Sequence, residues 1–157
     1  LSQWETCIQI CRQLIQQEPE QPEAYRLMAQ ALYNQGEIAP ALAVYEQLRQ
    51  LRPEDPDVYG MLGDIYAEQK QWDAATEYYQ TAVQLNPKLT SVQEALGDIW
   101  SHQGQCQKAI TCYQQVLERS PELWEVHHKL GDVLWQQGEL EAAVEAYQQA
   151  AELSKVP

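Results

Sequence analysis

The chain has 157 residues, of which 45% are hydrophobic, so it can build a packed core and is not expected to be disordered. The net charge is −13, and the sequence shows no stripe of clustered Lys and Arg residues, which argues against nucleic acid or an anionic membrane as a partner. The apolar runs are too short to span a bilayer, and four cysteines in a helical chain of this size do not form a secreted-type disulfide framework, so we expect a cytoplasmic location.

The first predicted element is a helix over Leu1–Gln17 that ends before Pro19. After it, one pattern of residues recurs every 34 residues without insertions. The period predicts four helical pairs, over residues 22–55, 56–89, 90–123 and 124–157, and makes residues 1–21 the second helix of an incomplete pair. Because the chain starts without Met and in the middle of a pair, we expect it to be a fragment of a longer protein.

The pattern combines aromatic, small and turn-forming residues in a constant order. In the second pair it comprises Tyr59, Leu62, Gly63, Tyr66, Ala75, Tyr79 and Pro87. This order resembles the tetratricopeptide repeat, a helix–turn–helix unit of about 34 residues. The resemblance implies an all-α fold, a right-handed α-solenoid in which such hairpins stack on one another.

The predicted turns within and between the pairs carry glycine and proline at recurring positions. Glycine stands after the first helix in three pairs, where a left-handed backbone ends a helix at little cost, and Lys70 takes that place in the second pair. Pro40 falls in the first turn of a second helix, where proline is tolerated. The glycines are Gly36, Gly104 and Gly138; Pro53, Pro87 and Pro121 follow the second helices, and Pro157 stands near the end of the last.

Small residues mark the places where the two helices of a pair should approach closely. The first helices carry Ala29, Gly63, Gly97 and Gly131, and the second helices carry Ala41, Ala75, Ala109 and Ala143. A tyrosine four residues after each of these second-helix alanines should fill the remaining gap. Enlarging one of the small residues is therefore expected to be costly.

In the tetratricopeptide family, one face of the first helices lines a concave groove that binds peptides, and the resemblance implies the same here. Asp64, Asp98 and Asp132 recur at one position of this face, and the resulting acidic groove favours a basic partner. The alternative is a merely solvated polar face. The candidate binding residues are Arg26, Gln30, Tyr33, Asp57, Asp64, Glu68, Glu94, Asp98, His102, His128, Asp132 and Trp135.

Tyr33 and Trp135 are candidate anchors, because large aromatic side chains on a polar face often dominate binding. Packing of Trp135 against a further repeat is the alternative. The family's lysine and asparagine clamp for acidic C-termini is absent, since only Arg26 matches it as a base.

The remaining residues suggest no cofactor, no metal site and no catalytic activity. Cys7 and Cys11 occupy positions at which later repeats place Ala and Tyr, so we interpret them as core residues rather than metal ligands. Neither a phosphate-binding glycine loop nor a nucleophile–base pair is evident.

We therefore expect a protein–protein interaction scaffold. One alternative is the substrate-recruiting arm of a larger enzyme, such as a transferase, whose catalytic domain lies outside this chain. Another is self-association through the uncapped ends of the array.

Overall fold

The computed structural model describes residues 3–155, and every regular element in that range is an α-helix. The all-α class predicted from the sequence is confirmed. In chain order the helices are α1 (Gln3–Gln17), α2 (Pro22–Asn34), α3 (Ile38–Leu51), α4 (Pro56–Glu68), α5 (Trp72–Leu85), α6 (Thr90–His102), α7 (Cys106–Arg119), α8 (Trp124–Gln137) and α9 (Leu140–Leu153).

The first predicted helix ends at Gln17, as expected from Pro19. Its predicted start at Leu1 lies outside the described residues, as does Pro157 at the other end of the chain.

The helices form two compact units, one extending to Leu85 and the other beginning at Asn86. In the first unit, each of α1 to α5 packs against its neighbours in sequence. In the second unit, α6 to α9 pack in the same way. Each unit is thus built from helical hairpins whose main contacts are with the helices next to them in the chain.

The left-handed turns occur where the sequence predicts them. Gly36, Gly104 and Gly138 have φ of 82°, 71° and 86°, and Lys70 adopts the same region with φ of 59°. In the hydrogen bond that closes the Lys70 turn, the amide of Gln71 donates to the carbonyl of Tyr66 at 2.9 Å. The backbone conformation is therefore imposed by the hairpin even where no glycine is present.

Within each hairpin the small residues allow the close approach that was predicted. A Cβ added at Gly97 would lie 2.7 Å from a ring carbon of Tyr113, and one at Gly63 would lie 2.5 Å from the ring of Tyr79. The alanine that precedes each tyrosine by four residues is fully buried in all four pairs. These contacts set the distance between the helices of a pair and so position the face of the first helix.

Candidate functional site

The recurrent aspartates of the first helices accept a hydrogen bond from the tyrosine of the second helix, 15 residues later. The pairs are Tyr79 with Asp64 at 2.6 Å, Tyr113 with Asp98 at 2.7 Å, and Tyr147 with Asp132 at 2.8 Å. One oxygen of each carboxylate is therefore used inside its own hairpin. Sequence reasoning missed this role, although the constant spacing of Asp and Tyr was a visible signal of it.

The first complete hairpin departs from this arrangement because Gln30 replaces the aspartate. The tyrosine at the corresponding place, Tyr45, is only 1% exposed, and its hydroxyl has no hydrogen-bond partner among the described residues. Burial raises the pKa of Tyr45, while the charge of Arg26 lowers it and that of Asp64 raises it. The hydroxyl thus lies within electrostatic reach of two side chains on the predicted binding face.

The side chain of Arg26, on α2, bonds to the residue that caps the start of α4. Its guanidinium donates to Asp55 at 2.5 Å and lies 3.9 Å from Glu23. Asp55 caps α4 by accepting a hydrogen bond from the backbone amide of Asp57 at 3.1 Å, and the Asp57 side chain itself is exposed. Arg26 is therefore engaged internally and is not free for a clamp of the kind the family uses.

Tyr33 and Glu68 connect α2 to α4, since the Tyr33 hydroxyl donates to the Glu68 carboxylate. Desolvation by burial and this hydrogen bond raise the pKa of Tyr33 to about 12. The carboxyl of Asp64 lies one helical turn before Glu68. Although the residue is exposed, surrounding protein desolvates the carboxyl and raises its pKa. The hydrogen bond from Tyr79 lowers this pKa, and the charge of Glu68 raises it.

No lysine or arginine among residues 3–155 lies within ion-pairing distance of Asp64 or Glu68. In the described part of the first unit, these two neighbouring carboxylates therefore have no counter-ion.

In the second unit, by contrast, a lysine of the chain itself pairs with two carboxylates of the first helix. Lys129 of α8 reaches α6 and donates to Glu94 at 2.7 Å and to Asp98 at 2.8 Å. Burial alone lowers the pKa of Lys129, but its hydrogen bonds to these carboxylates outweigh that effect and raise it. Lys129 was not among the predicted site residues, and its presence means that the aspartates do not form a uniform row of uncompensated charge.

The remaining candidates of the second unit lie on the same two helices. His128 lies 3.4 Å from Asp132 and edge-on to the ring of Tyr147, with centroids 5.3 Å apart. Trp135 is 57% exposed. An open pocket of about 240 Å³ brings together Asp98, Ser101, His102, Tyr113, Lys129 and Asp132.

None of the four cysteines forms a disulfide, and Cys11 and Cys112 are buried in the core. Burial, together with the neighbouring Cys7, raises the pKa of Cys11 to about 11, and burial alone raises that of Cys112 to about 11. Within the described range, no group of three or more His, Cys, Asp or Glu residues could hold a metal ion.

None of the helices in the described part of the chain combines the length and apolar character that a membrane crossing requires.

Most of the chain is similar in sequence to one known protein family. The sequence model described as tetratricopeptide repeat matches residues 26–89 and 95–155. No curated protein sequence matches at a significant level.

Solved structures with similar folds include MamA, with a TM-score of 0.88 and 19% identity over 97% of this chain and 89% of that one. A MamA fragment from Desulfovibrio magneticus RS-1 gives a TM-score of 0.86 and 23% identity over 99% and 89% of the two chains. YrrB, described as a TPR protein with an unusual peptide-binding site, gives 0.82 and 20% over 96% and 77%. At these identities the likeness concerns the fold alone, and it confirms the predicted class of an α-solenoid.

Proposed function

The chain belongs to the tetratricopeptide repeat family, and on that premise we propose that it is a protein-interaction scaffold whose first helices bind a peptide or helix carrying basic side chains. The observation that carries this proposal is the pair of carboxylates of Asp64 and Glu68, which has no described counter-ion. An uncompensated acidic surface attracts a cationic partner and accelerates its association.

Two further observations support the proposal. The net charge of −13 gives the whole chain an acidic field, which selects against acidic partners. YrrB, which shares the fold, is described as having a peptide-binding site. The proposal assigns the chain no catalytic step, no cofactor and a cytoplasmic location. The alternative, a recruiting arm of a larger enzyme, uses the same surface and is distinguished by the full-length reading frame.

The test is neutralisation rather than charge reversal, because each aspartate also accepts a tyrosine hydrogen bond that an asparagine oxygen can preserve. Binding of capped basic peptides to the triple variant Asp64→Asn, Asp98→Asn and Asp132→Asn is compared with binding to the wild type at two salt concentrations. We expect weaker binding in the variant and a shallower dependence on salt.

The matched control is Glu118→Gln, an exposed carboxylate on the second helix α7, which should leave the affinity unchanged. If peptide affinity is indifferent both to the triple change and to salt, the basic-partner proposal is wrong.

A second candidate function is self-association. Three large apolar residues are exposed on the last two helices: Trp135 on α8 is 57% exposed, and Leu140 and Val144 on α9 are 46% and 47% exposed. Exposed apolar patches of this kind mark interaction surfaces. Light scattering over a range of concentrations tests it: a mass that increases with concentration and returns to the monomer value in Val144→Glu supports it, and a constant monomer mass rejects it.

A further inference from the structure

The pocket on the first helices of the second unit is lined by several groups whose hydrogen bonds are already made within the chain. Both oxygens of Asp98 are occupied, one by the Tyr113 hydroxyl at 2.7 Å and the other by the Lys129 ammonium group at 2.8 Å. Lys129 also donates to Glu94 at 2.7 Å, so two of its three donors are used. The ligand that the pocket can hold is therefore determined by the capacity that its lining residues have left.

Three of the lining groups retain hydrogen-bonding capacity. The Lys129 ammonium group has a third N–H without a partner in the described part of the chain, and Ser101 contributes a hydroxyl that both donates and accepts. One oxygen of Asp132 accepts from Tyr147 at 2.8 Å, while the other lies 3.4 Å from His128 and can accept a further bond. The pocket thus combines donors at Lys129 and Ser101 with an acceptor at Asp132.

The charges that line the pocket disfavour an ionic ligand. A basic side chain entering it would lie against the Lys129 ammonium group, and an acidic one would lie against the Asp132 carboxylate. Like charges placed side by side weaken binding and so exclude the wrong partner. At the equivalent position of the other repeats the chain carries Leu27, Met61 and Ala95, so among the complete hairpins this cation is specific to the last.

Taking the proposed function as its basis, we propose that Lys129, Ser101 and Asp132 form a specificity pocket for the neutral carboxamide of an asparagine or glutamine side chain of the partner. The carboxamide oxygen accepts from the Lys129 ammonium group and the Ser101 hydroxyl, and the carboxamide NH2 group donates to Asp132. The pocket volume of about 240 Å³ accommodates such a group. Lys129 thereby excludes a further basic side chain at this place, while the basic side chains of the partner bind elsewhere on the first helices.

The test compares peptides that differ in one central side chain. The probe is a capped peptide of alternating lysine and serine with glutamine at its centre, and its comparisons carry alanine, glutamate or lysine there. Affinity for the full chain is measured by calorimetry in salt that screens long-range attraction. We expect the glutamine peptide to bind about five- to tenfold more tightly than the alanine peptide. The glutamate and lysine peptides should gain nothing over alanine.

Lys129→Met is the decisive variant, because it removes the cation and keeps an unbranched side chain. Without the ammonium group, Glu94 and Asp98 lose their counter-ion, so the preference at the central position should change from glutamine to lysine by about tenfold. Lys129→Arg keeps the charge and should still disfavour the lysine peptide. Lys155→Met removes an exposed cation beyond the end of α9 and should leave the wild-type order of affinities unchanged.

Ser101→Ala separates the hydrogen bond from the charge. This variant should weaken binding of the glutamine peptide about threefold, leave the alanine peptide unchanged and keep the discrimination against lysine. Circular dichroism of each variant verifies that the helices are retained.

Three outcomes would overturn the inference in distinguishable ways. Equal affinities of the wild type for the glutamine and alanine peptides would show that the carboxamide is not recognised, and would leave the basic-partner proposal intact. The wild-type order of affinities in Lys129→Met would show that Lys129 does not set the specificity. Failure of the wild type to bind any of the four peptides would reject both proposals.

Discussion

At the scale of single residues, the aspartates of the first helices have two roles. Each carboxylate accepts a hydrogen bond from a tyrosine hydroxyl within its hairpin, which stabilises the pair of helices, and it also contributes negative charge to the predicted binding face. Gln30 and Tyr45 show what happens when the acceptor is missing, since the tyrosine remains buried while its hydroxyl has no hydrogen-bond partner among residues 3–155. The position of these aspartates therefore provides a hydrogen-bond acceptor for the tyrosine in three hairpins, whereas Gln30 at the same position of the first hairpin does not.

Restoring this acceptor is expected to stabilise the protein. In Gln30→Asp, the new carboxylate stands 15 residues before Tyr45, at the spacing of the three observed pairs. We expect the free energy of unfolding to rise by about 0.5–1.5 kcal/mol at neutral pH, measured by urea denaturation. The gain should vanish in the double variant Gln30→Asp with Tyr45→Phe. A gain that persists there would mean that the hydroxyl is not the partner.

The raised pKa of Asp64 implies a particular pH dependence. A folded-state pKa above the unfolded value means that the native protein binds more protons in that range, so ionisation of Asp64 destabilises the fold. As the pH rises from the ordinary aspartate pKa through the folded one, the stability of the wild type relative to Asp64→Asn should fall. Urea denaturation between pH 4 and 7 tests this, and a relative stability that rises over the window would contradict it.

At the scale of structural elements, the hairpin is the unit whose geometry is most tightly constrained. In three of the four complete hairpins the two helices approach closely at a glycine, and the turn of each hairpin contains a residue with positive φ. Both requirements are visible in the sequence because each depends on one residue type at one position. Lys70 and Gly97 illustrate them, and each suggests a substitution.

Lys70 adopts a left-handed conformation that three other hairpins assign to glycine. A side chain costs about 1–2 kcal/mol there, while glycine adds flexibility to the unfolded chain. We therefore expect Lys70→Gly to increase the free energy of unfolding by about 0.5–1 kcal/mol. The reverse change, Gly104→Lys, serves as the matched control and should be destabilising. Both are measured by thermal and urea denaturation.

Gly97 lies against the ring of Tyr113 and the Cβ of Cys112, at 2.7 and 3.2 Å from an added Cβ. Gly97→Leu is expected to lower the free energy of unfolding by about 1–3 kcal/mol through overpacking. Gly97→Ser, a smaller change, should cost less. An unchanged thermal midpoint in the leucine variant would mean that the helices of this pair are not in close contact.

At the scale of the whole molecule, two compact units share one architecture but differ in the charge balance on their first helices. The second unit contains Lys129, which compensates Glu94 and Asp98, while in the first unit Asp64 and Glu68 have no ion-pair partner among the described residues. The total charge of −13 does not reveal this difference. The difference depends on whether a basic side chain lies close enough to a given carboxylate to pair with it, as Lys129 does with Glu94 and Asp98.

Because the helices of each unit pack mainly against their neighbours in sequence, a unit should fold without the other. We expect a fragment of residues 86–157 to show helical circular dichroism and one cooperative unfolding transition. Gly131→Leu in the same fragment, which places a large side chain against Tyr147, should lower the midpoint of that transition. A fragment without a cooperative transition would show that the second unit is not independently stable.

Much of the fold was predictable because its determinants are local. The helices, the left-handed turns and the buried small residues follow from period, proline, glycine and alanine positions, and the family model confirms the interpretation. The candidate site was less predictable. Sequence spacing placed Asp64, Asp98 and Asp132 at equivalent positions but did not show that each accepts a hydrogen bond from a tyrosine hydroxyl.

The sequence by itself determined that the chain is a tetratricopeptide array, and it predicted which residues lie on the binding face of the first helices. Only the tertiary structure decided which charges on that face are already compensated. Lys129 bonds to residues 31 and 35 positions away, and such contacts depend on how far a side chain reaches between helices rather than on the repeat period. The pairing of Glu94 and Asp98, and the absence of a described cation at Asp64 and Glu68, are consequences of that geometry.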